Sequence, residues 1–194
     1  MNEFHENKYL EAGQDLQYWH AFITGDREAL GMLFRMYYPH LYKYGSKIIA
    51  DDHVLEDCIQ ELFIELWQHK NPPPSLSVKA YLLKALKYKL LKTLHKKNLL
   101  LPDSVAFEIS YDNFIIAKQD DEEKIRKVVQ AIDQLSNRQK EIIYLKFYQN
   151  LSYEEVSEIM NINYQVARNL LHQAIKAMRK ILSGSACFIP LLLN

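Results

Sequence analysis

The spacing of apolar and polar positions along the chain predicts helices over most of its length. An apolar stripe over Tyr9–Ile23 predicts a short leading helix that stops at Thr24-Gly25. Asp26 is placed to cap a second helix, with Ala29, Leu30, Leu33, Phe34, Tyr37 and Tyr38 along one face. Pro39 predicts a kink or interruption, after which the pattern resumes through Leu41, Tyr44, Ile48 and Ile49. Asp51-Asp52 opens the next helix. Val54, Leu55, Cys58, Ile59, Leu62, Phe63, Leu66 and Trp67 form its buried stripe, and Glu56, Asp57, Gln60, Glu61 and Glu65 stay on the other side. Asn71-Pro72-Pro73-Pro74-Ser75 cannot be helical and reads as a stiff, exposed loop. Ser77 then caps a helix from Val78 to about Lys97, whose core side holds Leu82, Leu86, Leu90 and Leu94.

From 98 to 121 the helical period fades, and Pro102, Asp103, Ser104, Asp112, Asp120 and Asp121 mark a linker. Its Phe107, Ile109, Tyr111, Phe114 and Ile115 are too apolar for a free coil, so part of it should lie against a surface. Beyond it, Ile125, Val128, Val129, Ile132 and Leu135 mark one helix. Ser136-Asn137-Arg138-Gln139 is a capping box, and Ile142, Ile143 and Phe147 mark a helix ending near Gln149-Asn150. Ser152 and Glu155 form a second capping box, opening a helix that carries Val156, Ile159 and Met160. Asn161 falls where a turn between short-linked helices needs a residue tolerant of the left-handed conformation. Asn163 then caps a last helix, Tyr164 to Leu182. The predicted fold is all-α, two small helical domains joined by a linker. The boundaries are an N-terminal extension 1–24, a domain 25–97, the linker 98–121, a second domain 122–182 and an apolar tail 183–194.

Charge changes the picture through its distribution, because the total is zero. Acid gathers in 51–65 and 103–123, base in 79–97 and 164–180. The last helix has no acidic residue but carries Arg168, His172, Lys176, Arg179 and Lys180. Two short-linked helices, the second basic and polar at its start, form the pattern that lays a recognition helix in the DNA major groove. Tyr164, Gln165, Arg168 and Asn169 are the candidates for base edges, since arginine suits guanine and Asn or Gln suits adenine. Lys176, Arg179 and Lys180 lie farther along, where they touch phosphate or stay solvated. In the earlier lysine helix, Lys79, Lys84, Lys87, Lys89, Lys92, His95, Lys96 and Lys97 interleave with Tyr81 and Tyr88. Ammonium groups that track phosphate beside rings that face unstacked bases suit single-stranded or melting nucleic acid. The competing account is a solvated helix with Tyr81 packed inside. The acidic face at Asp57, Gln60, Glu61 and Glu65 is either solvated or a docking face for a basic partner. The acidic linker is opposite in sign to both basic helices and can mask them.

Several classes fall away. Two cysteines form no disulfide framework, and Cys58 on an apolar stripe reads as a buried thiol in a reducing cytoplasm. Seven histidines show no metal-ligand spacing. With no phosphate loop, metal cluster or paired nucleophile and base, neither an enzyme nor a cofactor nor a small-molecule substrate is predicted. The polar, acidic N-terminus predicts no signal peptide, and no apolar run reaches the ~20 residues that cross a bilayer. The apolar tail, Cys187 to Leu193, either docks in a groove of this protein or of a regulator, or frays.

The motifs of the two halves resemble a known pair. Leu135-Ser136-Asn137-Arg138-Gln139-Lys140-Glu141, Leu151-Ser152-Tyr153-Glu154-Glu155-Val156 and Val166-Ala167-Arg168-Asn169-Leu170-Leu171-His172-Gln173-Ala174 are similar to region four of sigma-70 family transcription initiation factors. Asp57-Cys58-Ile59-Gln60-Glu61-Leu62-Phe63, Leu66-Trp67 and Lys79-Ala80-Tyr81-Leu82 resemble region two. A short linker in place of region three resembles the extracytoplasmic-function (ECF) group.

The resemblance implies a non-catalytic, cytoplasmic protein that binds bacterial RNA polymerase core, at the β′ clamp helices and the β flap, and directs it to promoter DNA. Asp57, Gln60, Glu61 and Glu65 would dock on the clamp helices. The loop 71–75 and the set Lys79, Tyr81, Lys84, Lys87, Tyr88, Lys92 and Lys96 would read and open the minus-ten element. Tyr164, Gln165, Arg168, Asn169, His172, Lys176 and Arg179 would read the minus-thirty-five element as duplex. An anti-sigma factor, often one tied to the inner membrane, would mask the polymerase-facing surfaces. Three positions depart from the family: Tyr88 replaces a frequent asparagine, His95-Lys96 stand where arginine is common, and Ala167 replaces a usual valine. The competing functions are a stand-alone helix-turn-helix regulator that binds duplex DNA as a dimer through 122–182, and a helical adaptor with merely solvated basic faces.

Overall fold

The computed structural model describes residues 3–69, 77–96, 106–109 and 122–182, and every regular element among them is helical. The chain divides into two units, residues 1–99 and 100–194. The proline-rich loop 71–75, Lys97, the acidic stretch 110–121 and the tail 183–194 lie outside the described residues.

The first unit is built from α1 (Glu3–Ile23), α2 (Arg27–Gly45), α3 (Asp52–Gln68) and α4 (Val78–Lys96). Gly25 takes φ 106°, which a Cβ would strain, so α1 stops there. The Asp26 carboxylate then accepts the backbone N–H groups of Glu28 and Ala29 at 2.8 and 3.2 Å and starts α2. Asp51 caps α3 through the N–H of Val54, and Ser77 caps α4 through that of Ala80. Leu33, Leu41, Tyr44, Leu55, Ile59, Leu82, Leu86 and Leu90 close the core without solvent contact. Gly45 lets α2 and α3 meet: a Cβ there would collide with Leu55 Cδ1 and press on Leu90 Cδ1 at 3.4 Å.

Two expectations change here. Pro39 does not interrupt the helix, because α2 runs unbroken from Arg27 to Gly45. Pro39 is exposed, so water can hydrate the carbonyl its ring leaves without a partner, while buried Tyr37, Leu41 and Tyr44 hold the turns on either side. Ile48 and Ile49 are buried, yet they sit in a turn closed by the Ile49 N–H on Gly45 O at 3.0 Å rather than in a continuing helix. Residues 1–24, set apart as an extension by the sequence, contribute α1 to this unit. Phe22 is wholly buried, Trp19 stands edge-on to Tyr81 at 5.4 Å, and buried Tyr37 donates to the buried Asp15 carboxylate.

The second unit comprises α5 (Glu122–Asp133), α6 (Asn137–Ile143), α7 (Tyr153–Met160) and α8 (Tyr164–Leu182). Both predicted capping boxes form, Ser136 with Gln139 and Ser152 with Glu155. The predicted end of α6 is different. Residues Tyr144–Tyr148 make a widened, π-helical turn, closed by the Gln149 N–H on Tyr144 O at 3.0 Å. The linker expectation holds at two residues. Phe107 and Ile109 are buried, the Phe107 ring meets Tyr144 edge-on at 5.7 Å, and the Phe107 N–H donates to Asn137 Oδ1 at 3.3 Å.

Candidate nucleic-acid interface

The geometry of the second unit begins at its turn. Asn161 adopts φ 51° and ψ 51°, closing α7 in the left-handed conformation. Asn163 Oδ1 accepts the Val166 N–H at 2.8 Å and starts α8. Ala167, Leu171, Ala174 and Met178 recur at helical spacing and bury one side of α8, which packs on α5, α6 and α7. The opposite side presents Tyr164, Gln165, Arg168, Asn169, His172, Lys176 and Arg179, all exposed. All seven residues predicted for the duplex interface therefore share one open face. Local contacts order its first two turns. The Arg168 guanidinium lies 5.9 Å from the Tyr164 ring centroid, and Gln165 Nε2 donates to Asn169 Oδ1 at 3.0 Å. Ala167 is fully buried, so its small side chain packs in the core and lies off the exposed face of α8.

In the first unit, the lysine helix splits by burial. Lys84, Tyr88, Lys92 and Lys96 are exposed along one stripe of α4, while Lys79 and Lys87 are half-buried. Tyr88, at 69% exposure, offers an open ring one turn from both Lys84 and Lys92. Tyr81, of the same predicted set, is half-buried. It packs in the seam with α1 against Trp19, and burial raises its hydroxyl above the usual tyrosine value.

On α3, Asp57, Gln60, Glu61 and Glu65 are exposed as predicted. Two features of this face were not foreseen. Ile64 lies within it at 55% exposure, seven residues after Asp57 and so on the same side of the helix. That spacing was the available signal. The second is Lys89 of α4, whose Nζ reaches Glu65 Oε1 at 2.7 Å and Glu61 Oε2 at 3.1 Å. Burial would lower the Lys89 ammonium, but the hydrogen bonds it donates to the Glu65 and Glu61 carboxylates outweigh it and raise it above the ordinary lysine range. Lys89, predicted to belong to the lysine face, is thus only 12% exposed and ties α4 to the acidic face of α3. Cys58 is buried beneath the same face beside Thr93 Oγ1, and burial pushes its thiol up. No group of His, Cys, Asp and Glu among the described residues could hold a metal ion.

Comparison with known proteins decides the lineage. The sigma-70 region 2 family matches residues 33–99, and the sigma-70 region 4 family matches residues 125–178, together more than half of the chain. The ECF RNA polymerase sigma factor SigM of Bacillus subtilis is 22% identical over 77% of this chain and 92% of its own length. SigK of Mycobacterium ulcerans, also an ECF RNA polymerase sigma factor, is 23% identical over 83% of this chain and 89% of its own. The chain belongs to the sigma-70 family, in its ECF group.

Solved structures agree on the fold of this sigma factor. CnrH, in complex with the cytosolic domain of CnrY, superposes with a TM-score of 0.59 at 14% identity, over 89% of this chain and 99% of CnrH. RpoE of Bartonella quintana, in complex with the anti-sigma factor NepR, gives 0.55 at 18% identity, over 80% of this chain and 97% of RpoE. The region 2 match spans α3, α4 and most of α2, and the region 4 match contains α6 and α7 with most of α8. No described helix is long and apolar enough to cross a membrane.

Proposed function

We infer that this chain binds bacterial RNA polymerase core and directs it to a class of promoters, acting by binding and not by catalysis. The observation that carries this reading is the pairing, in one chain and in this order, of region two and region four. The exposed faces give that pairing a physical division of labour. Residues 25–97 take the polymerase and the minus-ten element, and residues 122–182 take the minus-thirty-five element.

On α3, Asp57, Gln60, Glu61 and Glu65 form the surface for a basic partner, the β′ clamp helices, with Ile64 as the apolar contact inside it. On α4, Lys84, Lys87, Lys92 and Lys96 track the phosphates of the opening strand, with Lys79 at the helix start, and Tyr88 offers a stacking face. On α8, Tyr164, Gln165, Arg168 and Asn169 meet base edges, and His172, Lys176 and Arg179 line the backbone. The second unit also meets the β flap. Because two relatives of like fold were solved with CnrY and NepR, an anti-sigma partner is proposed here too, one that covers the polymerase-facing surface and is tied to the inner membrane. The site of action is the cytoplasm, where core polymerase and promoter DNA meet.

The test is capture of core polymerase by the full chain. Wild type retains core, and the lysine variants Asp57→Lys and Gln60→Lys lose it while both melt as wild type does. Equal retention by the lysine variants would remove α3 from the interface.

A further inference from the structure

The widened turn Tyr144–Tyr148 has no part in the function so far described, yet it delivers a side chain toward the reading helix. An i→i+5 turn holds one residue more than an α turn, so the residues inside it are displaced from the helix register. Lys146 lies in that turn. Its Nζ donates to Leu151 O at 2.7 Å and sits 4.7 Å from the centroid of the Tyr153 ring. Tyr153, the first residue of α7, stands edge-on to Tyr164, the first residue of α8, at 5.8 Å. The Tyr164 ring in turn lies 5.9 Å from the Arg168 guanidinium. Lys146, Tyr153, Tyr164 and Arg168 therefore form a line of two adjoining aromatic rings with a cation at each end. It starts in the scaffold of the second unit and ends on the exposed face of α8.

We propose that Tyr153, held by Lys146, is a positioning residue that fixes the Tyr164–Arg168 pair in its DNA-reading orientation. An exposed arginine has many rotamers, and each one frozen on binding weakens the complex. A guanidinium already held over an aromatic face that is itself fixed from below loses fewer of them. The Tyr153 and Tyr164 rings meet edge to face, the arrangement their quadrupoles favour, and the ammonium of Lys146 on Tyr153 anchors that ring. Neither Tyr153 nor Lys146 has to touch a base. This rests on the reading that the start of α8 contacts promoter DNA.

The experiment uses holoenzyme assembled from the full chain and core polymerase. It is presented with a promoter library randomised across the upstream duplex element, and retained sequences are counted. Arg168→Ala should flatten the preference at the positions its guanidinium reads. Tyr153→Ala should flatten the positions read by Arg168 and Tyr164 by about three- to tenfold and leave the others alone, the range of a single cation–aromatic contact. Tyr153→Phe, which keeps the ring, should read as wild type. At the positions Arg168 reads, the double variant Y153A/R168A should match R168A, because the line has already lost its end there. Lys146→Met should flatten the same positions more weakly, and it keeps the proposal testable if Y153A does not fold. Additive losses in the double variant at the positions Arg168 reads, a Y153A effect at other positions, or a K146M profile equal to wild type would each overturn the positioning role. An R168A profile equal to wild type would instead overturn the base-reading assignment, and the positioning role with it.

Discussion

At the scale of single residues, two backbone positions show how tightly the chemistry is constrained. Asn161 holds φ 51° between the two helices of the reading motif. A side chain that cannot bond locally pays about 1 kcal/mol or more for that conformation. Asn161→Ala should therefore lower the unfolding free energy of the second unit by about 1 kcal/mol, whereas Asn161→Gly should not; denaturant titration separates them. Gly45 is constrained by space and not by φ. Gly45→Ala drives a methyl group into Leu55 and against Leu90, both fully buried. Overpacking of about 1–3 kcal/mol outweighs the gain of about 0.5–1 kcal/mol from replacing a helical glycine. A net loss in unfolding free energy is the outcome to measure. The role of Asn161 was legible in the sequence, because a short polar residue between two capped helices has few other uses. The role of Gly45 was not, because nothing in a sequence says which distant leucine will face a helix end.

At the scale of elements, helix starts were legible because their caps are local. Ser136 with Gln139, Ser152 with Glu155, and Asp26, Asp51, Ser77 and Asn163 all cap as their spacing required. What crosses between elements was not legible. Lys89 was read as one lysine among many, yet it bridges Glu61 and Glu65 of α3. Both glutamates are exposed, so the bridge contributes about 0.2–1 kcal/mol, and Lys89→Met should cost no more than that in stability. The raised Lys89 value means that this contribution is present below the unfolded lysine range and fades as pH rises through the folded one. The widened turn has its own signature in alkali. Burial pushes the Tyr144 hydroxyl up to about 12, and Tyr148 is raised further in the same way. Between pH 10 and 12 the unfolded chain releases the Tyr144 proton and the folded unit keeps it. Tyr144 alone should cost the second unit about 3 kcal/mol of stability across that window, and Tyr148 adds to the loss in the same direction. Tyr144→Phe should flatten that part of the pH curve in denaturant titrations.

At the scale of the whole molecule, a net charge of zero conceals surfaces of opposite sign. The all-α class and the two units could be read from periodicity, and the acid-free face of α8 appears as the sequence placed it. The separation of signs is less complete than the sequence suggests, since α4 lends Lys89 to the acidic face. The remaining stripe of α4 still carries Lys84, Tyr88, Lys92 and Lys96 in the open. In the function proposed above, the polymerase brings both basic faces to one promoter. The most direct measurement is transcription from fragments of the host genome by core polymerase with and without this chain. The account predicts discrete start sites that appear only when the chain is present and that share both an upstream and a downstream element. A chain that protects one duplex element as a dimer, unchanged by core polymerase and with no new start sites, would contradict it.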